Sequence, residues 1–548
     1  MLRRSFLLSA AGLPLAAATS TRPDQLLLNG KIYTARQGAG FRQVQALAIA
    51  GGKIVASGDV AEMRALTGPG TRQTDLGGKT VVPGFNDAHT HVASSGLRHL
   101  TQVDCDLRTI AEIREAIRKC AAQTPQGQWV LGFKYDDTKT SEGRKINLGD
   151  LDAAAPNHPV AITHRGGHSG FYNSLALRKA DINAKTPHPA GGEIVHDAQG
   201  AVTGELRETA KGLISIPEGA VTASDRREGV RLMTKLFAKA GVTSVHDAQG
   251  SPADLRAYQD AHENGELYCR VNMLVQYRAI DQMIAAGIRT GFGNEWIRTG
   301  AMKLTSDGSI SERTARLSQH YEGRPTDFGI QVMPEAQLYE IARKAHLAGW
   351  QIGTHSNGDE GIAVTLNVYE RLQRQHPRKD PRFRLEHCTL VNDALLDRIR
   401  ALNAIPTPFW TYVYYHGEKM AEYGASRLEH MFAMRSFLDR GIRVAPGSDY
   451  VPGPFEPMMA LQSSVTRTDS SGRVWGASQR ITVAECIDAS TRNGAYASFE
   501  ENIKGSLEPG MLADLVVLGR DPFTENPSTL VSIPVERTMA GGRWVYES

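Results

Sequence analysis

The sequence predicts an α/β protein: a (β/α)8 TIM barrel with an inserted subdomain after strand 1 and a small β-sandwich domain formed by both chain ends. Three observations carry this. Apolar, β-rich runs alternate with helical stretches through the middle of the chain, the pattern of parallel βα units. Helical stretches such as REGVRLMTKLFAKAG and PEAQLYEIARKAHLAG end in glycine, as helices commonly do. Both ends of the chain instead show short polar–apolar alternation broken by Asn-Gly or Gly-Gly turns, the mark of antiparallel hairpins.

The elements follow in order. Residues 1–21 contain MLRRSFLLSAAGLPLAAATS, in which Arg3-Arg4 precede Phe6-Leu7-Leu8, an apolar run and the small residues Ala16-Ala17-Ala18. Charged, apolar and small-residue regions in that order read as an export signal of the twin-arginine type. The expected partner is the twin-arginine export machinery, and the expected location is periplasmic or secreted. The competing reading is an amphipathic extension of a cytosolic protein. The apolar run is too short to span a bilayer, and no later segment is long and apolar enough to do so, so no stable membrane insertion is expected.

Residues 22–79 and 496–548 form the small β-domain. Its strands are read from LLLNGKIYT (26–34), ALAIAGGKIVASGD (46–59), GSLEPGMLADLVVLGRDP (505–522) and ERTMAGGRWVYES (536–548). Neither end holds enough strands to be stable alone. Residues 80–495 form the barrel. Its eight strands are read at TVVPGF (80–85), TSVHDA (243–248), RVNMLVQ (270–276), GAMKLT (300–305), GWQIGTH (349–355), RFRLEH (382–387), AIPTPFW (404–410) and GIRVAPGSD (441–449). The interval 92–225 is too long for one crossover helix and contains the strand-like runs WVLGFKYD (129–136) and HPVAITH (158–164). It is read as a subdomain above the barrel mouth, where loops after barrel strands build an active-site rim.

Composition excludes several classes. Hydrophobic residues make up 41% and charged residues 22%, which fits a globular enzyme rather than a disordered chain. A formal net charge of +3 over 548 residues is no basis for nucleic-acid binding. Five scattered cysteines without CxxC spacing argue against a disulfide framework or a zinc finger, and are read as small buried apolar residues. A small-molecule substrate is expected. Oligomeric state is left open, with an oligomer allowed.

The chemistry begins with PGFNDAHTH (83–91). His89 and His91 are two apart at a strand end, so alternation points both imidazoles the same way, as a metal pair needs. A lone His-x-His is weak evidence. Four more potential ligands lie at other strand ends: Lys303 in AMKLTSDGS, His355 in IGTHSNGD, His387 in RLEHC and Asp449 in APGSDY. The carboxyl ends of barrel strands share one face, so residues distant in sequence meet there. Singly, each has a mundane reading: a hydrogen-bonded core histidine, a solvated lysine, an aspartate capping a helix.

His-x-His on strand one, Lys on four, His on five and six, and Asp on eight resembles the amidohydrolase superfamily. GGHSGFYNSLAL (166–177), KLTSDGS (303–309), THSNGDEG (354–361), RLEHC (384–388), PGSDY (446–450) and GSLEPGMLADLVVL (505–518) narrow the resemblance to the amidohydrolase-3 group, similar to N-substituted formamide deformylases. THRGGHSG and PTPFWTY depart from the group's pattern where substrate would be read.

The resemblance implies one or two divalent metals per chain, with zinc expected for nitrogen and carboxylate ligands and iron, manganese or nickel as alternatives. It implies that carbon dioxide converts Lys303 to a carbamate, which removes the repulsion between an ammonium and a dication. One metal would be held by His89, His91 and Asp449 and the other by His355 and His387, with Lys303 between. Asp449 would move the proton of a metal-activated water to the leaving nitrogen. His168 is read either as an oxyanion donor or as a surface or supporting histidine. Asp307 and Asp359 are read as orienting groups or caps, and Glu386 as structural, on the strand face opposite His387. The expected function is metal-dependent hydrolysis of a non-peptide C–N amide-type bond. The alternatives are an ester, lactone or phosphoester hydrolase on the same centre, or a non-catalytic binding protein.

Overall fold

Two-residue alternation ties the small β-domain to the barrel. In Leu515–Leu518, Leu515 and Val517 join the core of the small domain, while Val516 and Leu518 join that of the barrel. The computed structural model describes residues 22–34, 40–216 and 221–548. The export signal read at residues 1–21 lies outside the described residues.

The small domain is a sandwich. One sheet has the strand order Lys53–Gly58, Ala46–Ala50, Gln25–Leu28, Arg72–Asp75. The other runs Arg543–Glu547, Val535–Ala540, Leu515–Leu518, Thr80–Pro83, Lys31–Tyr33, Gln43–Val44. Leu27, Leu47 and Ile49 of the first meet Leu515, Val517 and Met539 of the second. Each such side chain, fully buried, contributes about 1.5–3 kcal/mol.

The run at 80–85, expected as the first barrel strand, is split. Thr80–Pro83 pairs with Leu515–Leu518 and with Lys31 and Ile32 in the sandwich. The first barrel strand is Phe85–Thr90. Gly84 makes the passage between them. A Cβ there would sit 2.1 Å from Thr243 Oγ1, so only glycine lets the chain pass so close to the next strand.

The barrel strands are β1 (Phe85–Thr90), β2 (Val242–Gly250), β3 (Arg270–Gln276), β4 (Ile297–Thr305), β5 (Ile352–Ser356), β6 (Arg384–His387) and β7 (Ile405–Thr407). They form one parallel sheet in the order β7-β6-β5-β4-β3-β2-β1. The run at 441–449, expected as an eighth strand, is not a regular one, yet it fills the gap between β7 and β1. Ala445 N–H donates to the Pro406 carbonyl at 3.0 Å, Gly447 N–H to Pro408 at 3.0 Å, and Asp449 N–H to His89 at 2.7 Å. Pro446 accepts from Ala88 N–H at 3.2 Å. Pro406, Pro408 and Pro446 have no N–H to give, so the ladder is broken although the barrel is closed.

Between β1 and β2 the chain builds a six-stranded sheet in the order Gly192–His196, Val202–Glu208, Ser169–Tyr172, Val160–His164, Val130–Tyr135, Val103–Asp104. Two of these strands were legible in sequence. Ser169–Tyr172 was not, because its Gly-rich, Ser-containing start reads as a turn. Helix Val92–Thr101 leads out of β1 and packs on helix Ala223–Lys239, which leads back to β2. Gly96 and Gly229 allow that contact, since a Cβ on Gly96 would lie 2.1 Å from the Gly229 carbonyl oxygen. The five cysteines are unpaired. Among the described residues, no helix is long and apolar enough to cross a membrane.

Candidate metal centre

The register of the barrel decides which side chains meet. His355 on β5 pairs with Thr305 on β4 and with Glu386 on β6. Paired residues share a face, and Lys303 lies two residues before Thr305. Lys303, His355 and Glu386 therefore share one face of the sheet. Strict alternation would send His387 to the other face. Instead His387 and Cys388 have φ of 70° and 43°. This left-handed backbone costs non-glycine residues about 1–3 kcal/mol each and is held by the surrounding structure. It returns the His387 imidazole to the cluster, with its ring 4.7 Å from that of His89 and 4.5 Å from that of His355. Asp449 is also left-handed, with φ of 51°.

All six expected ligands come together at this end of the barrel. His89, His387 and Asp449 each offer a ligand atom, and these atoms lie within 4.8 Å of one another. Asp449 Oδ1 is 3.0 Å from His91 Nε2 and 3.5 Å from His89 Nε2. Lys303 Nζ is 3.2 Å from His89 Nε2. His355 packs against His387, but its Nε2 is turned towards the Gly308 carbonyl, 3.0 Å away.

Burial sets the protonation of this cluster. It lowers His89 to about 4, with the Lys303 charge acting in the same direction. His355 and His387 are held well below the usual histidine value, first by burial and then by neighbouring cations. Burial also brings Lys303 down to about 8. Asp449 goes the other way. Burial opposes its charge, but the hydrogen bond from His91 and the nearby cationic groups outweigh it and lower its pKa. The result is three neutral imidazoles, His89, His355 and His387, beside an ionised carboxylate. Asp449 Oδ1 is buried beside the Nε2 atoms of His91 and His89. Buried imidazole nitrogens and a carboxylate whose ligand atoms converge are what a divalent cation satisfies, so the residues fit a metal.

The ligands are themselves held. His89 Nδ1 bonds to the Glu386 carboxylate. Glu386 in turn accepts from Arg384 Nε at 2.7 Å and Nη2 at 3.1 Å, and from Thr407 Oγ1 at 2.7 Å. Glu386, read as structural on the face opposite His387, does act as a support, but from the same face as the ligands. Alternation did put it opposite His387 in sequence, but it is His387 that leaves the regular strand. His91 Nδ1 lies 2.9 Å from the Ala248 carbonyl. Asp87 accepts from Ser448 N–H at 2.9 Å and from its hydroxyl at 2.5 Å, which ties the Asp449 loop to β1. Asp307 accepts from the backbone N–H groups of Arg316, Asn357 and Gly358, and so braces the loops after β4 and β5. Asp359 accepts from Ser318 in an exposed contact.

His168 comes from the insertion, and its ring lies 5.0 Å from that of His355. Its Nδ1 is 2.7 Å from Glu208 Oε2. Burial opposes its charge, but the carboxylates of Glu208 and Glu312 outweigh burial and raise its pKa. A second group, Asp136, Asp137 and His164, also has metal-like spacing. There the Lys419 ammonium sits 2.9 Å from both Asp136 oxygens and already supplies the cation. This group locks the insertion to Gly417–Tyr423 rather than holding a metal.

A metal-dependent hydrolase is the class this barrel and its histidine–carboxylate cluster define. A family model described as the amidohydrolase family matches residues 72–546, and the chain belongs to that family. It is a hydrolase acting on carbon–nitrogen bonds other than peptide bonds. It is 30% identical to YtcJ of Bacillus subtilis (strain 168), over 94% of this chain and 98% of that one. It is 29% identical to an N-substituted formamide deformylase of Arthrobacter pascens, over 96% of this chain and 98% of that enzyme. In fold it resembles an uncharacterized metal-dependent hydrolase from Pyrococcus horikoshii OT3, with a TM-score of 0.73 and 24% identity over 92% of this chain and 99% of that one.

Proposed function

We propose that the chain hydrolyses an amide-type C–N bond in a small molecule at a zinc centre held by His89, His91, Lys303, His355, His387 and Asp449. The observation that carries this reading is the convergence of buried His89, His387 and Asp449, whose ligand atoms lie within 4.8 Å of one another, with His91 and Lys303 beside them. His89, His91 and Asp449 would hold one ion, His355 and His387 the other, with Lys303 between them. Bound there, a divalent ion supplies a Lewis acid and makes water easier to deprotonate.

The residues do the rest. Burial lowers Lys303 to about 8, so part of it is the neutral amine, whose lone pair can attack carbon dioxide. The N–C bond forms as one C=O π bond of carbon dioxide opens to a carboxylate oxygen, the amine loses a proton to solvent, and Lys303 is left as an anionic carbamate that would serve as a ligand. The Asp449 carboxylate accepts the proton of the attacking water and passes it to the departing nitrogen. His168, held at Nδ1 by Glu208, presents Nε2 as a donor to the oxyanion that develops on the carbonyl. The relative named for an N-substituted formamide supports an amide-type scissile bond. Residues 1–21 support export by the twin-arginine route, tested by whether Arg3→Lys with Arg4→Lys blocks processing in cells.

The test pairs 4-nitroformanilide with 4-nitrophenyl formate on zinc-loaded protein, before and after chelation. The reading expects amide hydrolysis that chelation abolishes and zinc restores. Turnover of the ester alone would assign the ester class. Turnover of neither by fully loaded protein would contradict the reading.

A further inference from the structure

His168 is a turn residue of an inserted subdomain, yet it must serve a site built on barrel strands. What fixes its ring is a relay of short contacts. Its Nδ1 bonds to Glu208 Oε2 at 2.7 Å. Glu208 Oε1 accepts from Thr314 Oγ1 at 2.6 Å, and that hydroxyl accepts from Ser309 N–H at 2.8 Å. Ser309 follows Gly308, whose carbonyl lies 3.0 Å from His355 Nε2. The backbone is tied as well. His168 N–H donates to Glu312 Oε1 at 2.9 Å, and Glu208 N–H donates to the His168 carbonyl at 2.8 Å.

The loop has little room to relax, since a Cβ on Gly308 would lie 2.3 Å from the Thr314 carbonyl oxygen. Glu208 ends strand Val202–Glu208 with φ of 50°, a left-handed backbone that a glutamate rarely adopts. Glu208 is buried, while the His168 side chain keeps 18% of its surface exposed. One edge of the ring is thus gripped, and the ring lies 5.0 Å from that of His355.

We infer that Glu208, anchored by Thr314 on the loop after β4, is the positioning residue for His168, setting the imidazole so that Nε2 faces substrate. The inference rests on the donor role proposed for His168. It goes further in assigning a function to a carboxylate in the insertion and to a hydroxyl on the barrel loop. Glu208 acts through the histidine and does not touch the reacting atoms.

The test is a double-variant cycle on zinc-loaded protein with 4-nitroformanilide, with metal content and melting temperature checked for each variant. His168→Ala is expected to lower kcat about 100-fold. Glu208→Ala is expected to lower kcat about 10- to 100-fold with KM nearly unchanged, as loss of a ligand-orienting partner does. Glu208→Gln, whose amide oxygen can accept the same bond but whose neutral side chain no longer favours the imidazolium, is expected to retain more activity than Glu208→Ala. In the His168→Ala background, Glu208→Ala is expected to add nothing, because a residue acting through another has no separate effect.

Additive losses, or a Glu208→Gln variant as impaired as Glu208→Ala, would overturn the positioning role. An active His168→Ala would instead sink the donor reading itself. Should Glu208→Ala not fold, Thr314→Val carries the same comparison. A crystal structure of Glu208→Ala, or of Thr314→Val in its place, decides the point independently of turnover. A His168 ring turned away from its wild-type orientation supports the inference, and an unmoved ring overturns it.

Discussion

Replacing Glu386 by Ala should separate metal binding from stability. The carboxylate holds His89 Nδ1 and takes two hydrogen bonds from Arg384, and both Arg384 and Glu386 are fully buried, with relative exposures of 0%. Removing it leaves a guanidinium in the barrel without a counter-charge. Its other contacts, the Ala88 carbonyl at 2.5 Å and His246 Nδ1 at 2.8 Å, carry no charge to offset it. Breaking one side of a buried pair costs about 3–5 kcal/mol. Losing the acceptor behind a ligating histidine weakens metal affinity by about 10- to 100-fold. The assay is guanidinium denaturation of the apo protein together with competitive zinc titration of the folded form. Removing the cation too, in Arg384→Met with Glu386→Leu, should recover most of the stability while the zinc affinity stays low. A Glu386→Ala protein within about 1 kcal/mol of wild type, or with unchanged zinc affinity, would refute the reasoning.

Three further outcomes follow from the same site. Lys303 has a folded pKa of about 8 against an ordinary 10.5, so between those values the folded apo protein binds fewer protons than the unfolded chain. Stability of the apo protein should then rise with pH across that window. At fixed dissolved carbon dioxide, reactivation by zinc should accelerate about tenfold per pH unit below 8 and level off above it, as the neutral amine accumulates. A pH-independent reactivation rate would contradict this. Asp449→Asn keeps the shape of the side chain but removes the proton acceptor, so kcat should fall by about 10²–10⁴. Elemental analysis should still find metal, and a kcat within tenfold of wild type would remove Asp449 from proton transfer.

Much of the site was legible because barrel topology converts sequence position into place. His89, Lys303, His355 and Asp449 stand at strand ends or in the closing run, and one face collects those ends. The misreadings share one cause, departures from regular strand geometry. The run at 80–85 is continuously apolar because Thr80–Pro83 lies buried in the sandwich and Phe85 begins the barrel, and apolarity does not say which sheet a strand joins. The run at 441–449 lost its regular ladder to prolines. Glu386 was assigned away from the site because a two-residue period was carried through His387, where φ is 70°. Arg384 in RLEHC was the one available signal, since a buried arginine requires a carboxylate partner. The Glu208–Thr314 relay joins residues 106 positions apart and left no local pattern to read.

The central claim is that Lys303 and the histidine–aspartate cluster form one metal centre. Metals per chain, counted by elemental analysis for wild type and Lys303→Ala with and without bicarbonate, test it most directly. The account predicts about two divalent ions in wild type, dependent on bicarbonate during reconstitution, and fewer in the variant whatever the bicarbonate. Equal metal content in the two proteins would contradict it, and would leave Lys303 a buried amine beside a centre it does not help to build.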